Sequence, residues 1–216
     1  VEEKEKLSDI STAKRVNELL EIDKYLLSLD VNLPARIIEL GDGIVEKYFC
    51  NSEGSRIRSV LPSIFGFVSI TVDEDGQNEW AYRHYGYSGG WEGIKVLQIG
   101  ETMGHDAEVL KKMINEGKKI PEAKMDLICG PEVTGIASHE SCGHPMEADR
   151  IIGREMSQAG KSFVKKDMLG ERIGSDAVTI VDDPTIPHSA GFYLYDEEGV
   201  KARPRYLYKN GLINEF

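Results

Sequence analysis

The chain has 216 residues, and its 37 Asp and Glu against 26 Lys and Arg give a formal net charge of -11 with a pI near 5.0. That charge repels phosphate backbones and anionic lipid surfaces, which sets direct nucleic-acid binding aside. A chain this long hides roughly 70% of its unfolded surface, so neither a metal nor a disulfide is required simply to fold. No apolar run reaches transmembrane length, and no charged-then-apolar leader opens the chain, so no membrane partner is expected and a cytoplasmic setting is.

The first predicted element is a helix. Val16, Leu19, Leu20 and Leu27 recur at helical spacing among charges, Ser11 or Thr12 caps the start, and Asp30 to Pro34 ends it. From Ala35 the period changes to two. Strands are expected at 36–40, 44–50, 55–60, 64–72 and 79–85. The intervening Gly41-Asp42-Gly43, Asn51-Ser52-Glu53-Gly54, Leu61-Pro62 and Asp73-Glu74-Asp75-Gly76 all carry turn chemistry, and the product is an antiparallel sheet. A second helix follows from about Thr102 to Glu116, with Ala107, Leu110, Met113 and Ile114 as its stripe and Gly117 as its stop.

Beyond Pro121 the pattern predicts a short buried strand over 125–129 and a helix starting near Pro131, then a loop or frayed helix over 159–166. Strands resume over 177–182, 192–195, 205–208 and near Leu212. The fold class is therefore α+β. An amino-terminal helix plus antiparallel sheet region (1–120) precedes a region (121–216) in which one helix leads into further strands. The three cysteines show no regular spacing, so no disulfide framework is expected; Cys50 and Cys129 close apolar runs and read as small buried hydrophobes.

The chemistry concentrates in His139-Glu140-Ser141-Cys142-Gly143-His144, two imidazoles and a carboxylate within six residues. Imidazole nitrogens ligate zinc, and a carboxylate beside a ligand is placed to take a proton from water. The HExxxH spacing is one residue longer than the HExxH of zincins. At ~100° per residue, positions i and i+5 of a regular α-helix point roughly 140° apart, too far round to share one ion. Gly143 tolerates unusual backbone angles and Pro145 disfavours helical geometry at His144, so a π-type turn or a break at Gly143 is predicted to swing His144 back. Chance supplies such a triple on the order of once in tens of sequences, so the flanks must decide. Cys142 on such a helix projects away from His139.

The run from Ile136 to Asp149, containing HESCGHPMEAD, resembles the metal-binding segment of the TldD/PmbA metallopeptidases, also described as modulator-of-gyrase proteins. Val178 to Thr185, then Asp196 to Val200 and a strand-rich end, looks like the segment that follows it in that family; the turn at Asn51 to Gly54 is similar to one in its amino-terminal half. The ordered blocks, strongest over 125–216, identify the chain as TldD-like, and with Val1 first and Phe216 amid strand-like sequence it is read as an amino-terminal fragment or truncated form. The resemblance implies a Zn2+ cofactor, unfolded or extended peptide substrates admitted as an added β-strand, and a homodimer or a heterodimer with a PmbA-like subunit. It also implies a third zinc ligand, a cysteine beyond this chain.

The reading is zinc-dependent peptide hydrolysis: His139 and His144 as metal ligands, Glu140 as the catalytic proton acceptor and donor, and Glu147 and Asp149 as candidates to orient a ligand imidazole or to ligate directly. Two other classes stay open, a noncatalytic peptide-binding or dimerisation module in this truncated form and a hydrolase of small amides. Tyr82 to Tyr87, alternating cation and rings, reads as strand packing; His84, His105 and His188 read as hydrogen-bonded or surface histidines; Asp182-Asp183-Pro184 reads as a strand terminator.

Overall fold

The computed structural model describes residues 2–154 and 162–216. It is mixed α and β, and its Cα packing divides into two units: one of residues up to Pro121 together with Ile186–Lys201, the other of Glu122–Thr185 with Ala202–Phe216.

In the first unit Ser11 caps helix α1 (Thr12–Leu27), its side chain accepting a hydrogen bond from the Lys14 N–H. The buried face of α1 is Ile22 and Leu26, while Val16, Leu20 and Leu27 remain exposed, so the apolar stripe is narrower than the periodicity implied. Three long strands follow: β1 (Ala35–Cys50), β2 (Arg56–Glu74) and β3 (Gln77–Ser88), paired antiparallel in the order β1-β2-β3.

Two expected turns lie inside strands. Gly41-Asp42-Gly43 continues β1, opposite Phe65, Ile64 and Ser63 of β2. A Cβ on Gly41 would stand 2.1 Å from the Phe65 ring, so this glycine makes room for a cross-strand aromatic and does not turn the chain. Leu61-Pro62 continues β2. Pro62 lies one residue beyond the last β2–β3 pair, Ser63 with Ser88, so β2 has a strand neighbour on one side only, a place where proline is tolerated. The other two turns form as expected. Asp75 and Gly76, both at positive φ (51° and 83°), make the two-residue connection between β2 and β3. The Asn51 side chain accepts hydrogen bonds from the Glu53 and Ser55 N–H groups and organises the β1–β2 loop.

A short helix, α2 (Gly93–Leu97), leads into α3 (Ile99–Glu116), which stops at Gly117. Met103, Ala107 and Leu110 of α3 pack with Ile22 and Leu26 of α1 over Val68, Ile70 and Val72, the inward residues of β2. Strand alternation accounts for this face: even-numbered β2 residues from 62 to 72 are buried and the odd ones are not. The outer face carries Phe67, Trp80, Tyr82 and His84 in mutual ring contact, whereas Arg83 turns the other way to pair with Asp106 of α3. His188 stacks on Tyr87 with rings 4.8 Å apart and 5° from parallel, and its Nδ1 lies 2.8 Å from the Ser88 carbonyl.

The second unit begins with irregular backbone. Residues 125–129 form no strand, and Leu127 and Ile128 are 82% and 98% exposed, which corrects the expected buried strand. Cys129 is exposed with them, as is Cys50 at the end of β1, so neither is the buried hydrophobe expected. An apolar run specifies a buried strand only where other strands offer pairing partners, and none does so here among the described residues. Helix α4 (Pro131–Ser138) starts with proline in its first turn, and α5 (Ala148–Ile151) follows. A small antiparallel sheet, in the order β4 (Ile180–Asp182), β5 (Arg205–Lys209), β6 (Leu212–Ile213), closes the unit. The strand expected over 177–182 is thus confined to its last three residues. The one expected over 192–195, which belongs to the first unit, is absent apart from an isolated bridge of Tyr195 to Lys201. Part of the segment expected as loop or frayed helix, 159–161, lies outside the described residues; Lys166–Met168 is one 3-10 turn. Among the described residues no helix is long and apolar enough to cross a membrane.

Candidate metal centre

Helix α4 runs directly into a π-helical turn over His139–Gly143 and then a 3-10 turn over His144–Met146. The His144 N–H donates to the His139 carbonyl, five residues back. One extra residue in the turn brings position i+5 to where i+4 stands in an α-helix, which is the displacement two histidines at this spacing need in order to meet. The two rings lie 4.4 Å apart, edge to face at 73°.

The backbone makes this turn without special torsions. Gly143 (φ -63°, ψ -64°) and His144 (φ -56°, ψ -43°) both stay in the right-handed region, so the turn uses neither the freedom of glycine nor a break before Pro145. A Cβ at Gly143 would meet only the Ser138 carbonyl at 3.8 Å, an ordinary contact. Gly143→Ala is therefore expected to fold with unchanged or slightly raised stability, up to about 1 kcal/mol from helix propensity, and to keep its metal affinity. Thermal unfolding and a zinc titration check this; a large loss of affinity would show that glycine itself is needed.

The turn gathers His139, Glu140 and His144, with one ligand-capable atom from each lying within 4.8 Å of the others. His139 Nε2 is 3.8 Å from Glu140 Oε1 and His144 Nε2 is 3.9 Å from Glu140 Oε2, so both Nε2 atoms face one carboxylate. Two nitrogens each about 2.1 Å from a single zinc stand at most ~4.2 Å apart. The observed spread lies within about 1 Å of that, a difference covered by rotation of the exposed His139 and Glu140 side chains. Two imidazoles and a carboxylate are a donor set suited to a borderline-soft divalent ion, and the residues present fit one.

Behind the cluster, Glu147 Oε1 lies 2.5 Å from His144 Nδ1, and its other oxygen accepts from Arg150 Nε. Engaging Nδ1 leaves the Nε2 of His144 directed at the cluster. Burial pushes the Glu147 carboxyl upward, but the hydrogen bonds from His144 and Arg150 outweigh it and hold the group below the usual carboxylate range. Asp149 does not join the cluster; its carboxylate accepts from the Arg150 N–H. Arg150, unremarked in the sequence, is the residue that holds Glu147, and its signal was the Glu-x-x-Arg spacing that places the two on adjacent turns.

Cys142 points the other way, as its position on the turn requires. It packs with Met146, Tyr208 and Ile213 in the unit's apolar core, and burial raises its thiol above the ordinary value. Tyr208, 3% exposed, is raised chiefly by burial and further by Cys142, and among the described residues its hydroxyl has no hydrogen-bond partner. The two histidines line a cleft of about 730 Å³ together with Glu147, Val181 and Asp182 of β4, Arg205 and Leu207 of β5, and Phe216. Asp182 ends β4 as expected and lines this cleft, while Asp183 folds back onto the Thr185 N–H and hydroxyl.

Two imidazoles and a carboxylate gathered on one helical turn make a candidate metal centre. Residues 5–111 match the PmbA/TldA metallopeptidase central domain and residues 122–216 the PmbA/TldA metallopeptidase C-terminal domain; the chain belongs to the PmbA/TldD metallopeptidase family. A metalloprotease of Methanocaldococcus jannaschii is 31% identical over 90% of this chain and 41% of its own length. A zinc metalloprotease TldD homolog of Saccharolobus solfataricus is 25% identical over 94% of this chain and 44% of its own. The chain thus spans less than half the length of these relatives. Among solved structures, a modulator of DNA gyrase from Bacteroides thetaiotaomicron superposes with a TM-score of 0.71 at 18% identity, over 98% of this chain and 47% of that one. TldE from Thermococcus kodakarensis gives 0.66 at 18%, over 93% and 43%. At that identity both support the α+β fold alone.

Proposed function

We propose that the chain is the metal-binding part of a TldD-type zinc metallopeptidase that hydrolyses unfolded or extended peptides. The observation that carries this reading is the meeting of His139, Glu140 and His144 on one π turn. His139 and His144 would hold the ion through Nε2, and Glu147 fixes the second ring. A bound zinc ion supplies Lewis acidity to the scissile carbonyl and brings the pKa of a water toward ~7. Glu140 takes the proton of the attacking water and delivers it to the leaving amine. The cleft beside the cluster accommodates the peptide.

The same reading makes residues 121–216 the start of the metallopeptidase core, preceded by a helix-plus-sheet region over 1–120. It also makes the working particle a homodimer or a heterodimer with a PmbA-like subunit, and the setting cytoplasmic. Zinc named in the Saccharolobus relative and the metalloprotease description of the Methanocaldococcus one support the metal and the reaction class. Cleavage of an unstructured, internally quenched peptide by zinc-loaded protein tests it. Chelation should remove the activity and added zinc restore it. Peptide binding that survives chelation without any zinc-dependent cleavage would favour a noncatalytic peptide-binding module.

A further inference from the structure

Arg205 lines the same cleft as His139 and His144, and it is the one lysine or arginine among the described residues that do. The other arginines nearby are committed. Arg150 holds Glu147, and Arg203 grips both oxygens of Glu215 at 3.1 and 2.7 Å. Glu215 is further occupied by the Tyr206 N–H. Arg205 has two acidic neighbours: Asp182, its cross-strand partner, whose closest approach of 3.8 Å is beyond hydrogen-bond distance, and Glu215, which feels its charge but is hydrogen-bonded elsewhere. Among the described residues no hydrogen bond reaches its guanidinium, whose side chain is 35% exposed. A planar cation with its donors free, fixed on a strand and turned to a cleft, is matched by a carboxylate, which it can grip with two parallel hydrogen bonds. Asp182 beside it acts as a weak, displaceable counter-ion.

We propose that Arg205 selects peptides that place a carboxylate in this cleft, either the α-carboxylate of a chain end or an Asp or Glu side chain near the scissile bond; this rests on the peptidase reading above. It also fits an overall acidic protein, because recognition of an anion here needs a local cation to offset the long-range repulsion.

Fluorescence anisotropy with chelated protein separates binding from turnover. Three versions of one labelled peptide serve as probes: neutral with an amidated end, the same with a free carboxylate, and the amidated form with Glu in place of one Gln. At least one carboxylate form should bind about tenfold more tightly than the neutral form. The tighter of the two names the source. Arg205→Gln should bring that ratio close to one, Arg205→Lys should retain part of it, and Asp182→Asn should widen it. No preference in the wild type, no binding of any probe, or a ratio unchanged in Arg205→Gln would overturn the assignment. Selective binding without zinc-dependent cleavage would instead refute the peptidase reading and leave carboxylate selection standing. Cleavage without carboxylate preference would do the reverse.

Discussion

Glu140→Gln is expected to lower peptide cleavage by about 10² to 10⁴-fold, the span of general acid–base contributions, while leaving one zinc per chain. The amide is nearly isosteric, so the π turn and both imidazoles should stay in place, and the only group removed is the one that can accept a proton between them. Glu140 lies almost equally far from the two Nε2 atoms, at 3.8 and 3.9 Å, a position from which it can also act as a ligand. The two roles separate on metal content. Loss of turnover with zinc retained assigns proton transfer; loss of both assigns ligation. Undiminished cleavage would remove Glu140 from the mechanism altogether.

The second large effect is on the metal itself. His144→Ala is expected to weaken zinc binding by well over 10²-fold, since disturbing a partner of a ligand already costs 10 to 100-fold. His139→Ala should match it. Glu147→Gln should fall in that lower range, because Glu147 touches the ring of His144 and not the ion. A competition titration against a chromophoric chelator orders the variants, and the predicted order of damage is the two histidines first and Glu147 after them. If Glu147→Gln were the most damaging, the carboxylate would be a direct ligand and His144 its support.

How much of this was legible in the residues differs between the two units. The first unit obeys local rules. Ser11 caps α1, Asp75-Gly76 turns the β2–β3 hairpin and Gly117 stops α3, each by chemistry carried in the residue itself. The same rules misread Gly41-Asp42-Gly43, because a glycine opposite an aromatic and a glycine in a turn look alike until the cross-strand partner, Phe65, is known. Pro62 misleads for a related reason, since its tolerance depends on where a neighbouring strand ends. In the second unit apolar runs were poor guides. Among the described residues the 125–129 segment finds no pairing partner, and nothing local signals that Ile186–Lys201 packs with the first unit.

At the site, the need for a π turn followed from spacing and helix geometry alone, but the means did not. A π-type turn or a break at Gly143 was expected, with glycine and proline supplying it; the π turn forms, but the backbone stays right-handed through residues 143 and 144 and the extra residue is absorbed in the hydrogen-bond pattern. The Glu147–Arg150 contact follows from i,i+3 spacing that the sequence carries, whereas Arg205 reaches the cleft from a strand 61 residues after His144 and carries no such local signal.

X-ray absorption at the zinc edge of the metal-loaded chain measures the central claim, that one turn holds two imidazoles on one ion. Two nitrogen scatterers near ~2.1 Å with the outer-shell signature of imidazole rings, reduced to one in His144→Ala, are the predicted result. A zinc shell without imidazole, or one that His144→Ala leaves intact, would contradict it.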